Sequence, residues 1–476
     1  MSTNKKPLKS EKHSDRRARG LLDRFLNLFT EVHPGEAATA LLLMLNIFLL
    51  LGAYYLLKTI REPLILAGEG GGADVKSYAA AGVAGLLIVL VPIYSSLADR
   101  LSRVKLINGV TLFFISNLVI FYALSRVGVA VGVPFFIWVG IFNLVIIAQV
   151  WAFANDIYRV DEGKRLFPIA GLGASFGAIA GSSFAGGLVQ AYGPYPIMLA
   201  GAGLLALCML ITNVIHVRTR RTARGELPAG KTAPEKELPA ADSAAADRRQ
   251  NQNGFALVLS HRYLILIALL MVLSNLVNTT GEYILGETVS SIARSRAGSD
   301  VEAEKLIGGF YGNYFTWVNV ISALIQAFVV SRVLKHMGVG AALLVLPLVA
   351  LAGYAVLAFL PVLAVIRTVK IAENAVDYSL QNTARNALYL PTSRAVKYKA
   401  KQANDTFFVR LGDVLSGGLV FAGLHWLGFA PRHFALVNAA FVLLWIVVAV
   451  GLGRHFASLG GKRLAEAEGA ATTAKA

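Results

Sequence analysis

The chain has 476 residues, of which 56% are hydrophobic and only 15% are charged, and its mean hydropathy is +0.60. A water-soluble core could not bury so much apolar surface, so this composition excludes an ordinary soluble enzyme. A net charge of +17 would suggest nucleic acid as the partner of a soluble protein, but here the basic residues lie in alternate segments between apolar runs. We therefore predict an all-α integral membrane protein that lies in a lipid bilayer and binds no nucleic acid polymer.

Apolar runs long enough to cross a bilayer as helices follow one another along the chain. We count about twelve, at 37–57, 78–97, 106–124, 133–154, 166–190, 194–216, 261–286, 307–333, 339–360, 361–390, 406–427 and 434–453. A polar, proline-containing segment divides them six and six. The predicted domains are a basic cytoplasmic tail with an amphipathic helix (1–34), an N-terminal six-helix half (35–216), a cytoplasmic linker (217–258), a C-terminal six-helix half (259–456) and a second cytoplasmic tail (457–476).

The positions of the basic residues predict the topology. They cluster in the first tail, in the loops at 99–105 and 159–165, in the linker and at 394–401. Under the positive-inside rule this places both termini and the linker in the cytoplasm. We expect a multi-pass protein of a bacterial inner membrane.

The loop after the second run has a recognisable pattern. Its sequence, Ser96-Leu-Ala-Asp-Arg-Leu-Ser-Arg-Val-Lys105, resembles the cytoplasmic Gly-x-x-x-Asp-Arg-x-Gly-Arg-Arg loop of the major facilitator superfamily. Ser95 and Ser102 stand in place of the two glycines. The resemblance implies two six-helix halves around a central cavity, with a binding site near the middle of the membrane.

The first run ends with ionisable residues, which are costly inside a membrane and indicate either a partner or a function. Lys58 and Arg61 lie one helical turn apart and could clamp an anionic substrate, because the arginine fork matches phosphate or carboxylate oxygens. The alternative is that both side chains reach the nearer headgroups and that Arg61 pairs with Glu62.

The tenth run is the richest in polar residues. Seven of them recur every three or four residues and are expected along one helical face: Arg367, Lys370, Glu373, Asn374, Asp377, Gln381 and Arg385. We interpret this stripe as lining a transport pathway, and the alternative is a series of ion pairs that only neutralise each other. In the seventh run Asn275, Asn278 and Glu282 share a face, and in the eleventh Arg410 and Asp413 indicate a structural salt bridge.

Glycines in the fifth run predict close helix packing. Gly173, Gly177 and Gly181 recur every four residues, and such a stripe allows two helix backbones to approach closely. The run lacks the Gly-Lys-Ser/Thr ending of a phosphate-binding P-loop.

Several segments together resemble the ATP/ADP antiporter family, the nucleotide transporters of plastids and obligate intracellular bacteria and their relatives in free-living bacteria. The resemblance extends from the first run to the eleventh. It is carried by Tyr55-Leu-Leu-Lys-Thr-Ile-Arg-Glu62, Trp151-Ala-Phe-Ala-Asn-Asp156, Asp161-Glu-Gly-Lys-Arg165, Gly171-Leu-Gly-Ala174, Ala384-Arg-Asn-Ala-Leu-Tyr-Leu-Pro391 and Lys397-Tyr-Lys-Ala-Lys-Gln-Ala-Asn-Asp405.

The resemblance implies a set of nucleotide-handling residues: Arg61, an acidic residue at Glu162, and a lysine at either Lys399 or Lys401. Glu62 and Asn155, the latter within the Trp151 motif, join the expected substrate-binding residues. The chain also departs from the family pattern. Arg61 and Glu62 stand where the nucleotide exchangers commonly have lysine and aspartate, and Arg410-Leu-Gly-Asp413 replaces a Leu-Gly-Lys-Ser-Gly-Gly-like run.

Taken together, these observations predict an alternating-access secondary transporter of an anionic, phosphate-bearing metabolite, with ATP/ADP-type nucleotide exchange as the specific hypothesis. We expect no enzymatic activity, no cofactor and no metal. One alternative is a proton-coupled carrier of another metabolite in which Glu282, Glu373 or Asp377 relays the proton. Another is a membrane scaffold or sensor without transport activity.

Overall fold

The computed structural model describes residues 36–158, 160–223, 254–392 and 399–473, and within these ranges the chain forms helices and no strand. Six long helices precede residue 224: α1 (Ala37–Leu66), α2 (Ala73–Arg100), α3 (Arg103–Arg126), α4 (Gly132–Ile157), α5 (Val160–Tyr192) and α6 (Tyr195–Ala223). The turn between α1 and α2 is glycine-rich, and Gly70 adopts a left-handed conformation, with φ of 68°, that favours glycine.

Six further helical segments follow residue 253, after a short helix at Gly254–Ser260. They are α7 (Arg262–Arg296), α8 (Asp300–Phe328, then Val330–His336), α9 (Gly338–Phe359), α10 (Leu363–Val376, a π-helical turn at Asp377–Gln381, then Asn382–Ala387), α11 (Lys401–Ala403, a π-helical turn at Asn404–Phe408, then Val409–His425) and α12 (Pro431–Thr473). The predicted all-α membrane fold is confirmed.

Two hydrogen bonds fix the start of α8. The Ser299 hydroxyl accepts a hydrogen bond from the backbone N–H of Glu302, and the Glu302 carboxylate accepts one from the N–H of Gly298. The first contact satisfies a backbone donor that the first helical turn leaves unpaired, and the second satisfies a donor just before the helix. The helix therefore begins at a defined residue, beside the end of α7.

Among the described residues, ten helices are long and apolar enough to span a bilayer, and the bent pair that forms α8 makes an eleventh. The two parts of α8 meet at an angle of 43°. The twelfth predicted span corresponds to α10, whose charged residues make it too polar for the same criterion.

The helices extend beyond some of the predicted domain limits. The sixth helix continues to Ala223 instead of ending at residue 216, and the helix Gly254–Ser260 lies largely inside the segment predicted to be a linker. The last helix continues to Thr473, through most of the predicted tail. The predicted amphipathic helix before residue 35 lies outside the described residues.

The predicted glycine packing is confirmed between α1 and α5. A side-chain carbon added at Gly177 would lie 2.9 Å from Cα of Phe48, and one added at Gly181 would lie 2.8 Å from Cα of Gly52. Any larger residue would force the two backbones apart. Phe184, on the same helix, is 69% exposed and faces away from this contact.

The two sets of six helices meet at one end of the bundle, the end predicted to be external. There the Arg294 guanidinium, at the end of α7, donates to the carbonyl of Leu66 at 3.0 Å, and the Tyr195 hydroxyl lies 3.4 Å from the Glu304 carboxylate. Toward the opposite end, a cavity opens between α2, α4 and α11.

Candidate functional site

A polar cavity of about 240 Å³ lies at mid-bundle, between the two sets of helices. We call it the central cavity. Lining residues come from α1, α2 and α4 on one side and from α7, α8, α10 and α11 on the other. Its charged lining residues are Lys58, Arg61, Lys76, Glu282, Arg410 and Asp413. A site between two halves is accessible from either side of a membrane when the halves move against each other.

Lys58 reaches the cavity from α1 within a group of aromatic rings. Its ammonium nitrogen lies 3.2 Å from the Tyr378 hydroxyl and 4.5 Å from the centre of the Phe315 ring. Tyr54 and Tyr55 also lie within cation–π distance. Within the described parts of the chain, Lys58 forms no ion pair with a carboxylate, although the residue is only 9% exposed.

Arg61 lies one turn further along α1 and contacts both an acid and an aromatic ring. Its guanidinium is 2.5 Å from the carboxylate of the adjacent Glu62 and 4.3 Å from the centre of the Phe136 ring. Glu62 is fully buried, and its other carboxylate oxygen is 2.6 Å from the ammonium of Lys76 on α2. The local Arg61–Glu62 pairing is therefore present, and Arg61 lines the central cavity as well.

Glu282 on α7 connects the charged groups of the two halves. Its carboxylate accepts hydrogen bonds from Asn374 at 3.0 Å and Tyr314 at 3.1 Å. Lys76 approaches it to 3.6 Å from the first half, and Lys370 to 3.9 Å from the second. The Lys76–Glu282 contact is an ion pair across the interface between the halves.

Lys370 is anchored behind the cavity wall. It is fully buried, 2.9 Å from Glu373 and 2.8 Å from the side-chain oxygen of Asn278. The Tyr354 hydroxyl donates a hydrogen bond to the carboxylate of Glu373 at 3.3 Å. Among the described residues, this network thus contains four cations and three carboxylates. The cations are Lys58, Arg61, Lys76 and Lys370, and the carboxylates are Glu62, Glu282 and Glu373.

Among the residues that the structure describes, one positive charge of this largely buried network therefore has no carboxylate partner, and it is that of Lys58. A buried charge without a counter-charge is unfavourable in a medium of low dielectric constant, so an anionic ligand in the central cavity would stabilise this arrangement.

Arg410 and Asp413 form the predicted ion pair on α11, at 3.0 Å. Asp413 also accepts hydrogen bonds from Asn275 at 2.7 Å and Thr279 at 2.8 Å, which attach α11 to α7. Besides the central cavity, Arg410 lines a second cavity of about 650 Å³, which we call the outer cavity. It lies between α2, α4 and α11, toward the end predicted to be cytoplasmic.

The other predicted site residues lie outside the central cavity. Asp377 and Arg385 pair with each other at 3.3 Å and line a small cavity of about 20 Å³ inside the second half. Arg367 donates to the side chain of Asn313 on α8 at 2.5 Å. These three residues thus contact other parts of the second half.

The predicted residues near the loops have separate surroundings. Asn155 is exposed near the end of α4, and Glu162 is partly buried near the start of α5. Lys399 lines the outer cavity. Lys401 forms an ion pair with Asp405 at 2.6 Å.

Sequence reasoning missed Lys76 and the aromatic rings around Lys58 and Arg61. The missed rings belong to Tyr54, Phe136, Phe315 and Tyr378. Lys76 lies just after the start of α2, where a lysine is normally expected to reach the headgroups. One feature of the sequence could have revealed Lys76. A short glycine-rich turn lies between Glu62 and Lys76 and returns the chain beside α1. No three His, Cys, Asp or Glu side chains in the described ranges are grouped as metal ligands would be.

The sequence profile described as "Major Facilitator Superfamily" matches residues 38–376. The chain belongs to the Major Facilitator Superfamily. The match begins at the start of α1 and ends within α10. It therefore includes the residues of the superfamily protein that supply most of the charged network, from Lys58 to Glu373.

Curated relatives are similar over nearly the whole length. ADP,ATP carrier protein 1 of Chlamydia pneumoniae is 22% identical, covering 89% of this chain and 92% of the relative. ADP,ATP carrier protein 2 of Chlamydia trachomatis is 24% identical, covering 91% of each. The superfamily protein and these carriers thus correspond along both sets of helices.

Solved structures of transporters share the fold. The nucleoside transporter NupG superposes with a TM-score of 0.60 at 13% identity, covering 87% of this chain and 98% of that one. A bacterial homologue of the human lysosomal transporter Spinster gives a TM-score of 0.57 at 14% identity, covering 90% and 99%. At this level of identity the likeness concerns the arrangement of the helices.

Proposed function

We propose that this protein is an alternating-access secondary transporter that exchanges nucleotides of the ATP/ADP type. The observation that carries the proposal is Lys58, a nearly buried cation in a cavity bounded by both halves, which pairs with no carboxylate of the described residues. The similarity to carriers named for ADP and ATP, over about nine-tenths of the chain, specifies which anion to test.

The surroundings of Lys58 and Arg61 suit a phosphate-bearing ligand. A phosphate oxygen can accept a hydrogen bond from the Lys58 ammonium, and the guanidinium of Arg61 retains donors beyond those directed at Glu62. Phe136, Phe315 and Tyr378 limit the access of water to these cations. Phosphate contacts made in such an environment are stronger than contacts made in bulk water.

The contacts at one end and the cavities toward the other correspond to one state of an alternating-access cycle. In this state Arg294 and Tyr195 join the halves at the predicted external end. We place the protein in a bacterial inner membrane with both termini in the cytoplasm, so the outer cavity opens to the cytoplasm. The opposite state requires the Lys76–Glu282 ion pair to separate, and a bound anion offers Lys76 another partner.

A second candidate is a proton-coupled carrier, and the position of Glu282 favours it. Glu282 lines the central cavity and pairs with lysines of both halves, so its protonation would weaken the contact between them. Glu373 and Asp377, the other predicted relays, lie outside the cavity lining.

Uptake into proteoliposomes tests the proposal. Vesicles preloaded with unlabelled ADP should take up labelled ATP without a proton gradient, whereas vesicles without internal nucleotide should take up little. Uptake that depends on a proton gradient and not on internal nucleotide would favour the second candidate. Absence of nucleotide uptake under both conditions would refute nucleotide transport.

A further inference from the structure

The central cavity is small for a nucleotide. Its volume of about 240 Å³ is below the roughly 300 to 1,000 Å³ usual for small-molecule sites. The neighbouring outer cavity has about 650 Å³. A nucleotide bound in this state therefore needs room beyond the central cavity.

The same three helices line both cavities in the same order. On α2 the lining passes from Val83 to Leu87, and on α4 from Gly140 to Leu144. On α11 it passes from Asp413 to Thr406, and Arg410 between them borders both cavities. The outer cavity is therefore the continuation of the central one, about one helical turn further toward the predicted cytoplasmic end.

The two cavities differ in chemistry. The α2 and α4 wall of the outer cavity is apolar, while the wall formed by α11 and the residues just before it carries polar and charged groups: Lys399, Gln402, Asp405, Thr406 and Arg410. The central cavity instead contains the charged network around Lys58. An apolar wall opposite hydrogen-bonding groups suits a flat ring with polar edges, such as a nucleobase.

We propose that the outer cavity is the base subsite of the transporter: the phosphates bind in the central cavity at Lys58 and Arg61, the base packs against the apolar face of α2, and Arg410 contacts the ligand between them. This assignment rests on the proposed nucleotide specificity. Arg410 suits the junction because one nitrogen pairs with Asp413 while the remaining guanidinium donors are available to the ligand.

Two glycines of α2 provide a matched test. A side-chain carbon added at Gly85 or at Gly82 meets no atom within 4 Å, so both sites accept a larger residue. Only Gly85 lines the outer cavity, and Gly82 lines neither cavity. Gly85→Phe should therefore reduce the space for the base, and Gly82→Phe serves as the control.

The experiment measures binding of ADP and of inorganic tripolyphosphate to the purified full chain and to both variants. Gly85→Phe should weaken ADP affinity about tenfold or more, because the added ring occupies the base subsite. Its affinity for tripolyphosphate, which carries no base, should equal that of the wild type. Gly82→Phe should match the wild type with both ligands, and unchanged thermal unfolding of both variants shows that they are folded.

Two results would overturn the base subsite alone. One is wild-type ADP affinity in Gly85→Phe, which would mean that another occupant, such as a lipid acyl chain, fills the outer cavity. The other is an equal loss of ADP and tripolyphosphate affinity, which would mean that the cavity serves only as an access route. A wild-type protein that binds no ADP would refute the proposed function itself, and the base subsite with it.

Discussion

Lys76 is the residue that links the charged groups of the two halves. It pairs with Glu62 of its own half at 2.6 Å and approaches Glu282 of the other half to 3.6 Å. It also lies 5.3 Å from the centre of the Tyr311 ring on α8. Its substitution would therefore affect two carboxylates at once, one in each half.

We expect Lys76→Gln to lower the stability of the observed state. Among the described cations, Glu62 would then pair only with Arg61, and Glu282 only with the more distant Lys370, so the expected loss is about 1–3 kcal/mol. Thermal unfolding in detergent measures it. Arg103→Gln is the control, because the Arg103–Asp156 pair is 41% and 47% exposed and should contribute little. Equal unfolding temperatures for the two variants would contradict a structural role of Lys76.

The sequence predicted part of this network. Lys58 and Arg61 stand out because they are cations at the end of a long apolar run. Lys76 does not, since a lysine near a helix start is ordinarily solvated. Its role depends on the side-by-side packing of α1, α2 and α7, which brings Glu62 and Glu282 to the same ammonium. Periodicity along a single helix carries no information on such a contact.

At the level of single helices, α10 differs from the prediction of one continuous polar face. The sequence suggested one polar face from Arg367 to Arg385, but the π-helical turn at Asp377–Gln381 interrupts it. Successive residues of a helix point about 100° apart. Asn374 and Tyr378, four residues apart, line the central cavity, whereas Asp377 and Arg385, which pair with each other across the turn, line a separate small cavity.

The close packing between α1 and α5 can be tested by substitution of Gly177. Gly177→Leu should reduce the yield of folded protein and its transport, because the new side chain would meet the backbone of Phe48. Phe184→Leu, an exposed position of the same helix, should be tolerated. Size-exclusion profiles and exchange rates of the two variants measure the difference. Equal tolerance would show that the glycines do not require close packing.

At the scale of the whole molecule, the sequence predicted the all-α fold from hydropathy alone. It predicted about twelve spans, and the described residues contain ten or eleven helices that are long and apolar enough to cross a bilayer. The sequence could not predict the conformation of the bundle, that is, at which end the two sets of helices meet. The joining of the halves near Leu66 and Arg294, and the cavities toward the other end, result from packing between distant helices. Hydropathy along single helices carries no information on such packing.

The proposed orientation can be tested at the two ends of α3. Ser102 and Val127 are both exposed and flank this helix. In a Cys208→Ala background, Val127→Cys should react with an impermeant maleimide applied to intact cells, and Ser102→Cys should react only after permeabilisation. The reverse pattern would invert the topology and place the outer cavity on the external side.

The central claim is that a nucleotide binds in the cavity between the halves at Lys58, and its most direct test is exchange of labelled ADP by reconstituted variants. Lys58→Gln should raise the half-saturating ADP concentration about tenfold or more, because a charged hydrogen bond is lost. Arg367→Gln removes the same charge outside the cavity and should exchange like the wild type. Exchange by Lys58→Gln with wild-type affinity would contradict the claim.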